Sequence, residues 1–198
     1  MKDGVLVMED DRVVDLTNRS AVPAEKVEYF EGMLCPGFVN THCHLELSHL
    51  YRKIDRHTSL TGFLGQILSK RSLFSEDEIL KSAEQADRFM AENGIVAVGD
   101  ISNTVHTLEI KKKSSIHYHT FVEVFDLDEK HATAVFQSGK DLLDRFRSSG
   151  QQSSLVPHAP YSVSPSLMKL LMQESVNGGI LSIHNQENGS ENSMFRNR

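Results

Sequence analysis

Five short apolar runs recur along this chain, and each ends in a polar or charged residue. Phe38-Val39 leads to His42 and His44, Ile95–Gly99 to Asp100, Ile116–Phe125 to Asp126, Leu155-Val156 to His158, and Ile180–Ile183 to His184. Runs this short, bounded by turn residues, read as buried strands. Helical stretches separate most of them, and strands alternating with helices imply a parallel sheet covered by those helices. The polar residues His42, His44, Asp100, Glu123, His158 and His184 therefore collect at the carboxyl ends of strands. In parallel α/β proteins that is the functional end.

The helix signals are local. From Ser59, the residues Leu60, Phe63, Leu64 and Ile67 fall on one helical face. Ser75-Glu76-Asp77-Glu78 is a capping box opening a helix to about Glu92, and Asn93-Gly94 stops it. Val135, Phe136, Leu142, Leu143 and Phe146 mark another helix. Ser164-Pro165 starts a last one, closed by Gly178-Gly179. Residues 1–35 show no helical period. Val5–Met8 and Val13–Leu16 read as short strands of a small N-terminal β unit, with 36–198 forming the main domain.

Charge and composition exclude several classes. The 198 residues carry a formal net charge of -6, so the run Lys111-Lys112-Lys113 has no basic face around it and reads as a solvated helix end, not a nucleic-acid site. No stretch has the ~18 apolar residues of a membrane span, and the N-terminus lacks a signal peptide's apolar core. Cys35 and Cys43 make no disulfide framework, which fits a reducing cytoplasm.

His42 and His44 are two apart on a strand, so both imidazoles face the same side and can share one divalent ion. Cys43 points the other way, toward the covering helices, as a core thiol.

These segments carry a family resemblance. PGFVNTHCHLELS resembles the first-strand signature of the amidohydrolase superfamily, and GIVAVGD its second strand. VPHAPYSVSP and SIHNQE resemble later strand ends of the deaminase-like (chlorohydrolase/aminohydrolase) branch. The resemblance implies a (β/α)8 TIM barrel preceded by a small β-sandwich portion. It implies that His42, His44 and His184 ligate one divalent metal, zinc before iron, and that His158 touches substrate. It further implies that Glu187, in the H-x-x-E pattern, shuttles protons, a task suited to a carboxylate beside an activated water. Glu46 and His49 are candidates to line the pocket, Asp100 and Glu123 to support it. Glu191 is expected at the surface. His57, His106, His117, His119 and His131 are expected to be structural or exposed.

About five barrel strands can be counted, and residues 192–198 show no strand pattern. In similar enzymes an Asp after the eighth strand and a His after the sixth also act, and neither has a counterpart here. The expectation is a partial barrel belonging to a metal-dependent aminohydrolase of a heterocyclic amine, inactive as it stands. Its small-molecule substrate is unspecified. A cyclic-amide or imidazolone-type hydrolase and a non-catalytic metal-binding protein are the alternatives, and an open sheet edge admits a homo-oligomer.

Overall fold

The computed structural model describes residues 4–175 and 179–196, and the chain divides into two compact units, Met1–Pro36 and Gly37–Arg198. In the first, β1 (Gly4–Glu9) and β2 (Arg12–Asn18) form an antiparallel pair. Asp10 and Asp11 both adopt positive φ, 46° and 61°, the requirement of a two-residue primed hairpin turn. The described part of this unit holds one two-stranded sheet.

The second unit is built on a four-stranded parallel sheet in the order β3 (Phe38–Cys43), β4 (Ile95–Ser102), β5 (His117–Val124) and β6 (Gln152–Pro157). Spatial order follows chain order, as successive crossovers in a barrel require. Helices α1 (Leu60–Lys70), α2 (Glu76–Glu92), α3 (Leu108–Lys113) and α4 (Ala132–Ser148) lie between the strands, and α5 (Pro165–Ser175) and α6 (Gly189–Arg196) follow β6. No helix among the described residues is long and apolar enough to cross a membrane.

Local chemistry sets the helix ends. The Ser75 hydroxyl accepts from the Glu78 amide at 3.3 Å while Glu78 accepts from the Ser75 amide at 2.8 Å, closing the box at the start of α2. Gly94, at φ 80°, takes the left-handed turn that returns the chain into β4. The Ser59 hydroxyl accepts from the Gly62 amide at the start of α1. The expected stop at Gly178-Gly179 falls partly on residues 176–178, outside the described residues.

The alternation of strand side chains divides the core. Val98 and Tyr118 pack with Ala83 and Met90 of α2, and the partly buried Cys43 joins them, on the helix side as expected. Val122, Val124 and Leu155 pack with Leu143 and Phe146 of α4 and Leu167 of α5. Ile101, Phe121 and Val156 form a smaller cluster.

Three expectations change. Residues 180–183 run beside β6 without joining the sheet. Among the described residues, the bonds from Ser154 Oγ to the Ile180 carbonyl, 2.6 Å, and from the His184 amide to the His158 carbonyl, 2.8 Å, connect the two. Pro157, at the end of β6, has no N–H to give a ladder. The tail, which showed no strand pattern, forms α6 over Gly189–Arg196. Lys111 is buried, because it lies at the turn of α3 facing the sheet and its ammonium group meets Asp100 there; Lys112 stays outside with Glu109. Glu191 is buried as well, since the start of α6 folds its carboxylate back onto the Glu187 amide at 2.8 Å.

Candidate metal centre

Strand β3 ends at Cys43 and a 3-10 turn, Leu45–Leu50, follows, with His44 at the junction. The junction brings His42 Nε2 to 3.1 Å from His44 Nε2. His184 arrives from the segment beside β6, with ring centroids 4.6 Å from His42 and 5.6 Å from His44. One ligand atom from each of these three residues lies within 4.8 Å of the others. Glu123, at the end of β5, and His158, just past β6, form a second such group with His184.

Carboxylates flank both nitrogens of His184. Glu123 Oε1 is 3.4 Å from Nε2, and Glu187 Oε1 is 3.2 Å from Nδ1. The Glu123 contact raises the His184 pKa, outweighing burial, which lowers it. His42 is lowered by burial and then by the neighbouring His184. Burial brings His44 down to about 4. Burial opposes ionisation of Glu123, but the His184 bond and the nearby His158 and His44 hold it below the usual carboxylate range. Without an ion, then, the pocket favours neutral imidazoles on β3, the form in which histidine ligates a metal. Three converging imidazole nitrogens suit zinc or another borderline divalent ion. The donor set therefore fits the group the resemblance implies.

Each remaining residue has its own support. The His158 amide donates to the Val124 carbonyl at 3.1 Å, and its Nδ1 lies 2.6 Å from Ser162 Oγ, which leaves Nε2 for other contacts. Glu187 accepts from the Tyr161 hydroxyl at 3.0 Å. Above His44, Glu123, His158, His184 and Glu187 opens a cavity of about 580 Å³. Its walls are apolar, formed by Leu60, Phe63, Leu64 and Ile67 of α1 with Leu50 and Phe125.

Glu46 and His49 do not line this cavity. Glu46 is buried and accepts from the Asn103 and Thr104 amides and the Thr104 hydroxyl, tying the turn after His44 to the loop after β4. Burial raises its pKa. His49 is buried with its ring 5.1 Å from Phe74. Asp100 touches no histidine of the site; it accepts from the Leu45 amide at 2.7 Å. His119 meets Ser154 at 2.9 Å and His131 meets Asp126 at 3.2 Å, both apart from the cluster. Tyr161 escaped the sequence reading, and its only signal was its place in the Pro-Tyr-Ser segment after His158.

Comparison with known proteins gives the family and the fold. The amidohydrolase family model matches residues 33–198. The chain belongs to the amidohydrolase family, a metal-dependent one. Among curated relatives, adenosine deaminase of Helicobacter pylori is 28% identical over 177 residues, covering 84% of this chain and 42% of the relative. The 5-methylthioadenosine/S-adenosylhomocysteine deaminase of Bacillus cereus is 24% identical, covering 96% of this chain and 47% of the relative. The chain thus spans less than half the length of these relatives. In fold it matches Helicobacter pylori aminofutalosine deaminase in complex with methylthio-coformycin, with TM-score 0.76, 23% identity, and coverage of 95% of this chain and 47% of that one. It also matches guanine deaminase from C. acetobutylicum with bound guanine, with TM-score 0.76, 16% identity, and coverage of 100% and 52%. This amidohydrolase chain is therefore part of a TIM-barrel architecture.

Proposed function

We propose that this chain carries the metal-binding residues of a hydrolytic deaminase that removes ammonia from a small heterocyclic amine of purine type, in the cytoplasm. The observation that carries the reading is the convergence of His42, His44 and His184, with Glu187 against His184, where His44, His184 and Glu187 line an apolar cavity. The deaminase names of the relatives favour loss of an amine over ring opening of a cyclic amide.

His42, His44 and His184 would hold one divalent ion, zinc before iron, which supplies Lewis acidity that makes water nucleophilic near neutral pH. Water oxygen forms the new bond to the ring carbon, and the bond from that carbon to the exocyclic nitrogen breaks. Glu187, fixed between His184 and the Tyr161 hydroxyl, takes a proton from the attacking water and returns it to the substrate's nitrogen side. His158 keeps Nε2 free to hydrogen-bond the substrate while Ser162 fixes its ring. The apolar walls from α1 receive the faces of a flat ring and exclude bulk water, which strengthens every polar contact at the floor. The free edge of β3 in the described sheet leaves room for pairing in a homo-oligomer.

The test is elemental analysis of the purified protein beside a His42→Ala/His44→Ala variant, followed by ammonia-release assays on adenosine-type and guanine substrates. Near-stoichiometric metal, lost in the variant, is expected of the chain by itself, and ammonia release is expected once the strands that complete the barrel are supplied. A folded protein that binds no zinc or iron refutes the metal reading, and a completed, metal-loaded barrel that releases no ammonia from any of these rings refutes the deaminase reading.

A further inference from the structure

Behind the histidines, on the helix side of the sheet, lies a second polar cluster that takes no part in the chemistry above. Asp100 is fully buried and Lys111 nearly so, and their Oδ2 and Nζ atoms are 2.6 Å apart. The Lys111 ammonium also donates to Ser102 Oγ at 3.1 Å and Thr120 Oγ1 at 2.9 Å, so its three protons are all used. The Phe146 and Tyr118 rings close over it at 5.0 and 5.6 Å. On the carboxylate side, Oδ2 accepts from Ser102 Oγ at 3.2 Å, and Oδ1 accepts from the Leu45 amide at 2.7 Å.

Leu45 follows His44 directly, and Cys43, which precedes it, is the register partner of Asp100 across β3 and β4. The carboxylate therefore sits against the chain on both sides of His44. β3 slips out of register with β4 between Asn40 and Cys43, so regular ladder bonds do not fix the chain there. A buried ion pair is weak evidence for stability, since hydrophobic residues of equal volume often serve as well. Asp100 accepts a backbone N–H just past this irregular stretch of β3, and that placement suits positioning better than bulk stability.

We infer that Asp100, held by Lys111, is a positioning residue that fixes the His44–Leu45 peptide and so orients the His42/His44 pair for its ion. This rests on the metal reading above. Lys111 acts through Asp100 by holding the carboxylate in one rotamer, and Ser102 and Thr120 hold Lys111. Partners of this kind around a metal site typically change affinity by about 10- to 100-fold when removed.

The experiment uses cobalt(II) as probe, because its visible absorption reports ligand geometry without turnover. Asp100→Ala/Lys111→Met removes the acceptor without stranding a charge. Asp100→Asn/Lys111→Met also removes the charges but keeps an oxygen that can accept from Leu45. With folding checked by circular dichroism, the alanine pair is expected to bind cobalt about 10- to 100-fold more weakly than wild type with a changed spectrum. The asparagine pair should recover most of the affinity and the native spectrum. Wild-type affinity and spectrum in the alanine pair overturn the inference, and so does equal weakening in both pairs, because the loss would then not run through the Leu45 acceptor. If the alanine pair does not fold, zinc titration of the labelled wild-type protein decides by NMR. The Asp100 carboxyl and Lys111 ammonium signals are expected to move with saturation, and their staying put overturns the inference. Wild-type protein that takes up neither metal refutes the metal reading itself.

Discussion

Replacing Gly99 by alanine would show how closely β3 must lie against β4 for the histidines to be placed. A Cβ at Gly99 would stand 2.7 Å from the Thr41 carbonyl oxygen and 2.9 Å from a ring carbon of Phe121. The ring can tilt, but the carbonyl belongs to the backbone immediately before His42. One strand must move by about 0.7 Å to reach 3.4 Å, where ordinary contact begins. Overpacking of this kind costs about 1–3 kcal/mol, which lowers the melting temperature of a domain this size by roughly 2–12 °C. Metal sites tolerate ligand displacements of only about 0.2 Å, so metal affinity should fall about tenfold or more as well. Thermal melts and cobalt titrations measure the two effects. Gly65→Ala is the control: nothing lies within 4 Å of its Cβ, and it sits within α1. It should raise stability by about 0.5–1 kcal/mol and leave metal affinity alone. A Gly99→Ala protein that melts with wild type and binds cobalt equally would refute the reasoning.

Glu78 is held below its ordinary pKa by its bonds to the Ser75 backbone and hydroxyl. The stability it contributes is therefore present above the unfolded carboxyl value and is lost as pH falls through the lower folded one. Glu78→Gln should be less stable than wild type at pH 7 and match it in acid, as denaturant melts at the two pH values would show. Cys35 is exposed, whereas burial and the adjacent Asp100 push the Cys43 thiol up to about 12. Iodoacetamide on the native protein should label Cys35 first, with Cys43 labelled only after unfolding, as peptide mass spectrometry would show; equal labelling contradicts the packing described. Phe146 is fully buried beneath α4, so Phe146→Ala should cost about 3–5 kcal/mol in urea unfolding, and a loss under 1 kcal/mol would place the ring outside the core.

The sequence made visible whatever depends on neighbours a few residues apart. Period two put His42 and His44 together and turned Cys43 toward α2. The Ser75–Glu78 spacing located α2, and Gly94 ended it. The alternation of buried strands and helices yielded the parallel sheet, and strand ends yielded the cluster of His158, Glu123 and His184. What was not visible depends on partners far along the chain. A lysine in a run of three reads as solvated until a buried aspartate from another strand is found beside it. Glu191 reads as surface because only the fold-back of α6 onto Glu187 buries it. The strand expected at 180–183 had the right composition, but composition does not register that this segment meets β6 through the Ser154 side chain and not through a backbone ladder. The helical face of α1 was legible; that it roofs the histidines was not, since direction in space is absent from a periodicity.

The sheet's spatial order repeats its chain order, and this has a kinetic consequence. Each strand pairs with the one before it, so β3 to β6 can be laid down in sequence as the polypeptide emerges, each unit docking on a finished edge. Contacts of moderate sequence separation close first. The histidines break this pattern. His42 and His44 belong to the first strand of the sheet, and His184 arrives only after the last. On the proposed metal reading, the three-histidine group closes only when the segment that carries His184 has docked, and a metal-sensitive optical signal during refolding would time that docking.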